Sequence, residues 1–269
     1  MSLYAEPPKS LSINDLASMK QAGEKISCLT AYDASFASLL DQAGIDVLLV
    51  GDSLGMVIQG HSSTLPVTIQ DMVYHTRNVT AARKRAYVIA DLPFASYASP
   101  EQALLNAAQL MQLAGAQMVK LEGAKFDVIR FLVEQGIPVC GHLGLLPQSV
   151  NQLGGYRVQG REPEQAGQIL NDALAIEQAG ARLLLLECVP ALLAAQISQA
   201  LTIPVIGIGA GVDCDGQVLV LYDMLNISMG KRPRFSKNFM AEANSIEDAI
   251  LSYLNAVKNR QFPAAEQAY

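Results

Sequence analysis

The sequence predicts an α/β fold in which eight parallel strands close into a (β/α)8 barrel, a TIM barrel. Short and nearly continuous apolar runs alternate with segments of helical periodicity, as buried parallel strands and their covering helices do. Composition does not shift and no linker interrupts residues 25–225. This repeated βα rhythm favours a single closed barrel, with an open doubly wound sheet as the alternative.

Each apolar run is predicted to form one strand of the barrel. The eight strands are expected at residues 26–30, 47–50, 87–91, 118–121, 138–142, 183–187, 205–208 and 218–221. Apolar residues spaced three and four apart predict helices at residues 34–42, 69–83, 101–113, 126–134, 164–178 and 191–199. Four helical stretches end in a glycine, the usual left-handed stop, at Gly44, Gly115, Gly136 and Gly180.

Three segments lie outside this rhythm. Residues 12–21 predict an additional N-terminal helix that covers the bottom of the barrel, with Ser12 as its capping residue and Asp15 at the third helical position. Long loops over residues 54–68 and 143–161 follow the second and fifth strands. Loops of this length in a barrel are usually functional or mobile.

We expect one barrel domain over residues 1–269, with an N-terminal extension over residues 1–25 and a tail from about residue 231. The tail is more polar than the barrel and is expected to be either a solvated arm or a subunit contact. Its polarity comes from Lys231, Arg232, Arg234 and Lys237.

Charge and hydropathy exclude several classes of protein. The net charge of −6 has the wrong sign for binding nucleic acid or an anionic lipid surface. The longest apolar run, near residues 183–197, is broken by Glu187 and Pro190 and is shorter than the ~20 residues of a membrane span. Residues 1–10 carry no apolar signal segment, so we expect a cytoplasmic protein. No cysteine pair is spaced C-x-x-C, which predicts buried, reduced thiols at Cys28, Cys140, Cys188 and Cys214.

Five consecutive strands end on ionisable residues, whereas their opposite ends carry little charge. The C-terminal rim of a barrel is where active sites are built. These strand-end residues are therefore candidates for one site: Asp52, Asp91, Glu122, His142 and Glu187.

The three carboxylates of Asp52, Asp91 and Glu122 come from adjacent strands and are expected to converge. Because no cysteine and no histidine pair accompanies them, they suit a hard cation with water ligands, Mg²⁺ or Mn²⁺, better than Zn²⁺. The alternative is that each carboxylate caps the helix that follows its strand.

Lys120 lies two residues before Glu122, so both side chains face the same side of the strand. The lysine is a candidate for binding a substrate carboxylate, and a purely structural ion pair is the alternative. Glu187 follows four leucines and is a candidate general base, with a supporting or interface glutamate as the alternative. His142 is a candidate for orienting substrate or carrying a proton, and a hydrogen-bonded core histidine is the alternative.

A glycine-rich segment, Gly207-Ile-Gly-Ala-Gly211, follows the seventh strand. Glycines at this position of a barrel often cradle a phosphate. A tight turn that lets a bulky ligand lie close to the backbone explains the same pattern.

An ordered set of ten motifs over residues 10–240 resembles the ketopantoate hydroxymethyltransferase family. The motifs are Leu29-Thr-Ala-Tyr-Asp33, Val50-Gly-Asp-Ser-Leu-Gly55, Thr64-Leu-Pro-Val-Thr68, Asp71-Met-Val-Tyr-His-Thr76, Ala90-Asp-Leu-Pro-Phe94, Val119-Lys-Leu-Glu-Gly123, Gly141-His-Leu-Gly144, Gly154-Gly-Tyr-Arg-Val-Gln-Gly-Arg161, Leu186-Glu-Cys-Val-Pro190 and Ile206-Gly-Ile-Gly-Ala-Gly211. The departures are Asn226, where the family leads us to expect glycine, and the stretch at residues 81–84.

The resemblance implies a (β/α)8 enzyme that transfers a one-carbon unit from 5,10-methylenetetrahydrofolate to 3-methyl-2-oxobutanoate. The product would be ketopantoate, on the route to pantothenate, formed through an enolate that Mg²⁺ stabilises. Family members resemble one another in forming ring-based homo-oligomers, often decamers, which implies a homo-oligomer here.

The same resemblance assigns roles to individual residues. It places Mg²⁺ on Asp52, Asp91 and Glu122, and the proton acceptor at Glu187. Substrate contacts would come from Ser53 and Lys120, and we expect further ones from Asp52, Asp91 and His142.

Two other functions remain open from the residues alone. A Mg²⁺-dependent lyase or mutase of 2-oxo acids would share the rim carboxylates but would need an acid for a different leaving group. A non-catalytic barrel, serving as a scaffold or a metabolite-binding protein, would have no need of them.

Overall fold

The barrel is closed and all of its strands are parallel. A computed structural model describes residues 10–230 and 232–269, in which each strand pairs with the next in chain order and the first pairs with the last. The strands are β1 Ile26–Thr30, β2 Val47–Val50, β3 Tyr87–Asp91, β4 Met118–Glu122, β5 Val139–Gly144, β6 Leu183–Glu187, β7 Val205–Ile208 and β8 Gly216–Leu219. The predicted (β/α)8 barrel is confirmed, and the open doubly wound sheet is excluded.

The helices that the structure describes lie between and around these strands. They are α1 Ile13–Gln21, α2 Ala34–Ala43, α3 Leu54–Val57, α4 Ile69–Ala82, α5 Pro100–Gln112, α6 Phe126–Glu134, α7 Val150–Leu153, α8 Pro163–Gln178, α9 Ala191–Ala200, α10 Leu221–Met224 and α11 Ile246–Lys258. The four glycines predicted to end helical stretches all adopt positive φ angles, between 77° and 99°.

The last strand begins two residues earlier than predicted. β8 starts at Gly216, which lies opposite Ile26 of β1. A side chain at Gly216 would overlap the carbonyl oxygen of Ile26, so the close approach of the two strands requires glycine there. The apolar pattern that predicts a strand from residue 218 has no signal for such a position.

The N-terminal helix α1 covers the bottom of the barrel, as predicted. Ser12 and Asp15 form a capping box at its start, and Leu16 is fully buried. At its end, the Nζ atom of Lys20 lies 2.7 Å from a carboxylate oxygen of Asp215, in the loop that enters β8. The rest of the predicted extension, residues 1–9, lies outside the described residues.

The expectation of a solvated C-terminal arm is wrong for helix α11. Tyr253 of this helix is fully buried, and its hydroxyl lies 2.8 Å from the carbonyl oxygen of Cys28 and 2.9 Å from that of Gln217. The helix therefore covers the closure between β1 and β8. A role for the tail in subunit contacts stays a prediction, and Lys231 lies outside the described residues.

Two other predictions concern single residues. All four cysteines are buried and free, as expected for reduced thiols. Asn226, one of the departures from the family pattern, has a φ angle of 59°. This left-handed conformation explains why glycine is expected there, and asparagine tolerates it better than most residues.

Within residues 10–230 and 232–269, no helix is both long enough and apolar enough to cross a membrane.

A buried ionic network joins the bottom of the barrel to α11. The side chain of Asp46 is 1% exposed, and its carboxylate lies 2.8 Å from Nη2 of Arg85 and 2.7 Å from Nζ of Lys258. The same carboxylate accepts hydrogen bonds from the backbone N–H and the hydroxyl of Ser27. Burial alone would raise the pKa of Asp46, but Lys258 and the hydrogen bonds from Ser27 and Arg85 outweigh it and lower that pKa.

Asp46→Asn is expected to lower the free energy of unfolding by about 3 kcal/mol at pH 7, because it leaves the partly buried Arg85 without its anion and Lys258 with only the more exposed Glu24. A carboxyl with a lowered pKa stabilises the fold above its unfolded pKa, near 4, and loses that contribution as the pH falls through the folded value. The difference between wild type and variant should therefore shrink below about pH 4, as measured by urea unfolding at several pH values. Asp127→Asn, in an exposed pair with Arg130, is the matched control and should change little. A difference independent of pH would contradict this account.

Candidate active site

A cavity of about 910 Å³ opens at the C-terminal ends of the strands. All five strand-end residues predicted from the sequence line this cavity: Asp52, Asp91, Glu122, His142 and Glu187. Ser53 and Lys120 line it as well. The βα arrangement explains this, because parallel strands of similar length deliver their last residues to one mouth.

Asp91 and Lys120 form the ion pair at the centre of the cavity floor. The two residues lie opposite each other in the β3–β4 register, and the lysine Nζ is 2.8 Å from Oδ1 of Asp91. The other oxygen, Oδ2, accepts a hydrogen bond of 3.1 Å from the backbone N–H of Asp52. Burial opposes the charge on Lys120, but the carboxylates of Asp91, Asp52 and Glu122 raise its pKa above the ordinary value.

Gln148 ties two of the carboxylates together from the loop after β5. Its backbone N–H donates to Oε2 of Glu122 at 3.1 Å, and its side-chain amide donates to Oδ2 of Asp52 at 2.8 Å. The amide oxygen of Gln148 in turn accepts a 2.5 Å hydrogen bond from the Tyr97 hydroxyl. Sequence reasoning missed Gln148, for which the only signal is the length of its loop.

The floor carries more negative than positive charge. Burial and the neighbouring carboxylates of Asp91 and Glu122 raise the pKa of Asp52 well above its ordinary value. Lys120 compensates only part of this charge, so a divalent cation would relieve the remaining repulsion. In the described residues, no three His, Cys, Asp or Glu side chains converge closely enough to hold an ion by themselves.

These carboxylates fit Mg²⁺ better than they fit a metal ion whose ligands all come from the protein. Mg²⁺ usually takes one or two carboxylates and completes its shell with water and substrate oxygens. The buried, unbalanced carboxylates provide such ligands. Direct coordination by Asp52, Asp91 and Glu122 together stays a prediction.

The alternative that these carboxylates cap helices is wrong. The helices after β2, β3 and β4 begin at other residues, and none of the three carboxylates is a capping residue. The residues that precede these helices are Ser53, Thr68, Ser99 and Lys125.

His142 lies between two carboxylates on the wall of the cavity. Its Nδ1 is 3.6 Å from Oε1 of Glu122, and its Nε2 is 3.3 Å from Oε2 of Glu187. Burial and the charge of Lys120 act to lower the pKa of His142, but Glu122 and Glu187 outweigh them and raise it. Neither ring nitrogen makes a hydrogen bond with the described residues, so the imidazole is a close charged neighbour of both glutamates and is placed to exchange a proton with either.

Glu187 is the most accessible of the acidic residues on the cavity wall, with 15% of its side chain exposed. Its backbone is fixed by Leu145, whose N–H donates to the Glu187 carbonyl at 2.8 Å. Gly144 packs on the same carbonyl with a φ angle of 93°, and any side chain there would overlap it. This close packing fixes the backbone of Glu187, whose side chain lines the cavity.

Ser53 and the glycine-rich turn have different surroundings. The Ser53 hydroxyl is 2.8 Å from the hydroxyl of Tyr32, so one of the two can donate to a substrate. Gly207 and Gly211 pack tightly on Cys214 and Ala191 of the same chain. Packing against the chain's own side chains therefore accounts for these two glycines, without a phosphate or another ligand close to the backbone.

The sequence matches known proteins along most of its length. A sequence profile of the ketopantoate hydroxymethyltransferase family matches residues 10–265. A 3-methyl-2-oxobutanoate hydroxymethyltransferase from Psychromonas ingrahamii is 59% identical over 261 residues, which cover 96% of this chain and 98% of the relative. The protein of the same name from Thiobacillus denitrificans is 60% identical over 262 residues, with coverage of 96% and 99%.

Solved structures with lower identity share the fold. A phosphoenolpyruvate phosphomutase from Streptomyces platensis subsp. rosaceus aligns with a TM-score of 0.59 at 14% identity. The alignment covers 80% of this chain and 83% of the phosphomutase. At this identity the likeness supports the barrel architecture alone.

Proposed function

This chain belongs to the ketopantoate hydroxymethyltransferase family, and we propose that it makes ketopantoate from 3-methyl-2-oxobutanoate and 5,10-methylenetetrahydrofolate with the help of Mg²⁺. It is an enzyme of the hydroxymethyltransferase type. The observation that carries the detailed proposal is the separation of charges in the cavity. A lysine and an excess of carboxylates occupy the floor, and a further carboxylate, Glu187, faces the same space from the wall.

The substrate would be held by groups that the chain already orients. Lys120 supplies the positive charge that the substrate carboxylate needs, and its pairing with Asp91 fixes the position of its Nζ. The Ser53–Tyr32 hydroxyl pair can donate a hydrogen bond beside it. When bound on the acidic floor, Mg²⁺ supplies Lewis-acid chemistry that makes the hydrogen on C3 of the oxo acid more acidic.

Glu187 would act as the base that removes the C3 proton. The proton moves to a Glu187 oxygen, and the electron pair of the C–H bond moves towards the keto oxygen. The Nε2 atom of His142 lies 3.3 Å from Oε2 of Glu187, close enough for the two side chains to exchange a proton.

The carbon–carbon bond then forms between C3 and the methylene carbon of the folate. One carbon–nitrogen bond of the folate breaks as this bond forms, and the other breaks as a water adds its oxygen to the same carbon as the hydroxyl group. The two nitrogens take up the proton released by that water and the proton removed from C3, and tetrahydrofolate leaves. The loop over residues 143–161 carries Gln148 on its inner side and lines the cavity, so it is placed to exclude bulk water from this step.

We further propose that the enzyme works in the cytoplasm as a homo-oligomer, of which a decamer is the form that the family suggests. Large apolar side chains on the helical surface support self-association, since they are exposed in the single chain. Examples are Leu105, Leu113 and Leu192, which are 68%, 60% and 82% exposed.

Hydrogen exchange in the oxo acid tests the mechanism without the folate. Wild-type protein with Mg²⁺ in D2O is expected to exchange the C3 hydrogen of 3-methyl-2-oxobutanoate, measured by proton NMR. Addition of 5,10-methylenetetrahydrofolate should then yield ketopantoate. A lyase or mutase would cleave or rearrange a 2-oxo acid without forming ketopantoate, and a scaffold would do neither. No exchange and no product from folded, Mg²⁺-loaded protein would overturn the proposal.

A further inference from the structure

The cavity is much larger than the oxo acid requires. Its volume of about 910 Å³ lies near the upper end of pockets that hold drug-sized ligands, about 300–1,000 Å³. A five-carbon oxo acid on the floor would leave most of this space open. A second and larger molecule fits the remainder.

The outer part of the cavity has the opposite charge from its floor. Three arginines line it: Arg157 and Arg161 from the loop after β5, and Arg234 from the segment after α10. Within residues 10–230 and 232–269, the guanidinium groups of Arg157 and Arg161 make no hydrogen bond or ion pair. The Nε–H of Arg234 donates to the carbonyl oxygen of Glu266 at 3.0 Å, and this arginine forms no ion pair with those residues. In a chain with a net charge of −6, cations without an anionic partner at the mouth of an acidic site favour an anionic ligand.

Two tyrosines connect these arginines to the reacting end of the cavity. Tyr156 is half exposed, and burial together with the charges of Glu187, Asp52 and Glu122 raises its pKa. Tyr269 lies with its ring centroid 5.2 Å from the guanidinium of Arg234. Burial, Cys188 and Glu187 raise the pKa of the Tyr269 hydroxyl, whereas Arg234 and Arg161 act to lower it, and the side chain lines the same cavity as Glu187.

We propose that this rim, formed by Tyr156, Arg157, Arg161, Arg234 and Tyr269, binds the benzoyl-glutamate part of the folate cosubstrate. The inference rests on the proposed function. Flat rings pack on tyrosine faces, and the planar guanidinium group binds carboxylates through paired hydrogen bonds. Glu187, the two tyrosines and the three arginines line one cavity, so a ligand with its methylene carbon at Glu187 can extend its glutamate carboxylates to the arginines.

Single variants Arg157→Gln, Arg161→Gln and Arg234→Gln test the rim. Loss of a charged hydrogen bond to the glutamate tail is expected to raise the KM for 5,10-methylenetetrahydrofolate about tenfold in each. The KM for the oxo acid and the rate of its folate-free exchange in D2O should stay within about twofold of wild type, because neither uses the tail. Arg130→Gln, in an exposed pair on α6, is the matched control and should match wild type in every assay.

A cosubstrate without the glutamate tail identifies the chemical group that the rim binds. Wild type should bind 5,10-methylenetetrahydropteroate at least tenfold more weakly than the folate, and the rim variants should lose most of this preference. If the preference persists in all three variants, or if they raise only the KM for the oxo acid, the proposal is overturned. Failure of the proposed function is separate, because it abolishes exchange and transfer in wild type. Calorimetry with tetrahydrofolate alone, on wild type and variants, still tests the rim in that case.

Discussion

Glu187→Gln is expected to lower kcat for hydroxymethyl transfer by about 10³-fold, within the range by which general bases usually contribute. Glutamine keeps the size and a hydrogen-bonding oxygen of the side chain but cannot accept the C3 proton. The KM for 3-methyl-2-oxobutanoate should stay within about threefold, because Lys120 and the acidic floor remain intact. Steady-state assays of ketopantoate formation measure both constants.

The exchange reaction separates a base from a residue that only supports the fold. Glu187→Gln should abolish exchange of the C3 hydrogen in D2O to the same degree as transfer, because the two reactions share proton removal. Glu164→Gln, an exposed glutamate in the first turn of α8, offers the same chemical change away from the cavity and should be silent. Equal losses of substrate binding and turnover, or full exchange without transfer, would contradict the role of Glu187.

Much of this arrangement could be predicted because it depends on periodicity and chain order. Near-continuous apolar runs are typical of strands covered on both sides, and a closed parallel barrel brings their last residues to one rim. Asp52, Asp91 and Glu187 therefore reach one cavity by topology alone. The apolar pattern places the start of β8 two residues late, because Gly216 is required by a close approach of two backbones that this pattern does not show.

Interactions between distant parts of the chain could not be predicted in the same way. Gln148 reaches Asp52 across 96 positions of sequence, and nothing local to either residue indicates that hydrogen bond. Helix α11 was expected to belong to a solvated arm because the residues just after 231 are polar. Tyr253 becomes buried only when the helix packs over the closure of the barrel.

Asp91→Asn is expected to weaken Mg²⁺ binding, measured by calorimetry in the presence of the oxo acid, by about tenfold or more. The change removes one negative charge from the floor while leaving an isosteric side chain that still accepts the Asp52 N–H. Since the protein supplies at most a few carboxylates to Mg²⁺, each one matters to affinity. Transfer should fall by about 10³-fold, in line with the several kcal/mol that a Lewis acid contributes.

A structural loss could also weaken Mg²⁺ binding, because Asp91 is the partner of the buried Lys120. Lys120→Met distinguishes the two causes. It breaks the same ion pair but removes the competing cation instead of the anion, so Mg²⁺ alone should bind severalfold more tightly while affinity for the oxo acid falls. If Mg²⁺ binds at this site, Asp91→Asn should lower the affinity for Mg²⁺ and Lys120→Met should raise it, because one removes an anion and the other a cation. Parallel losses would show that Asp91 acts only by holding the fold, and Asp91 would then leave the list of metal ligands.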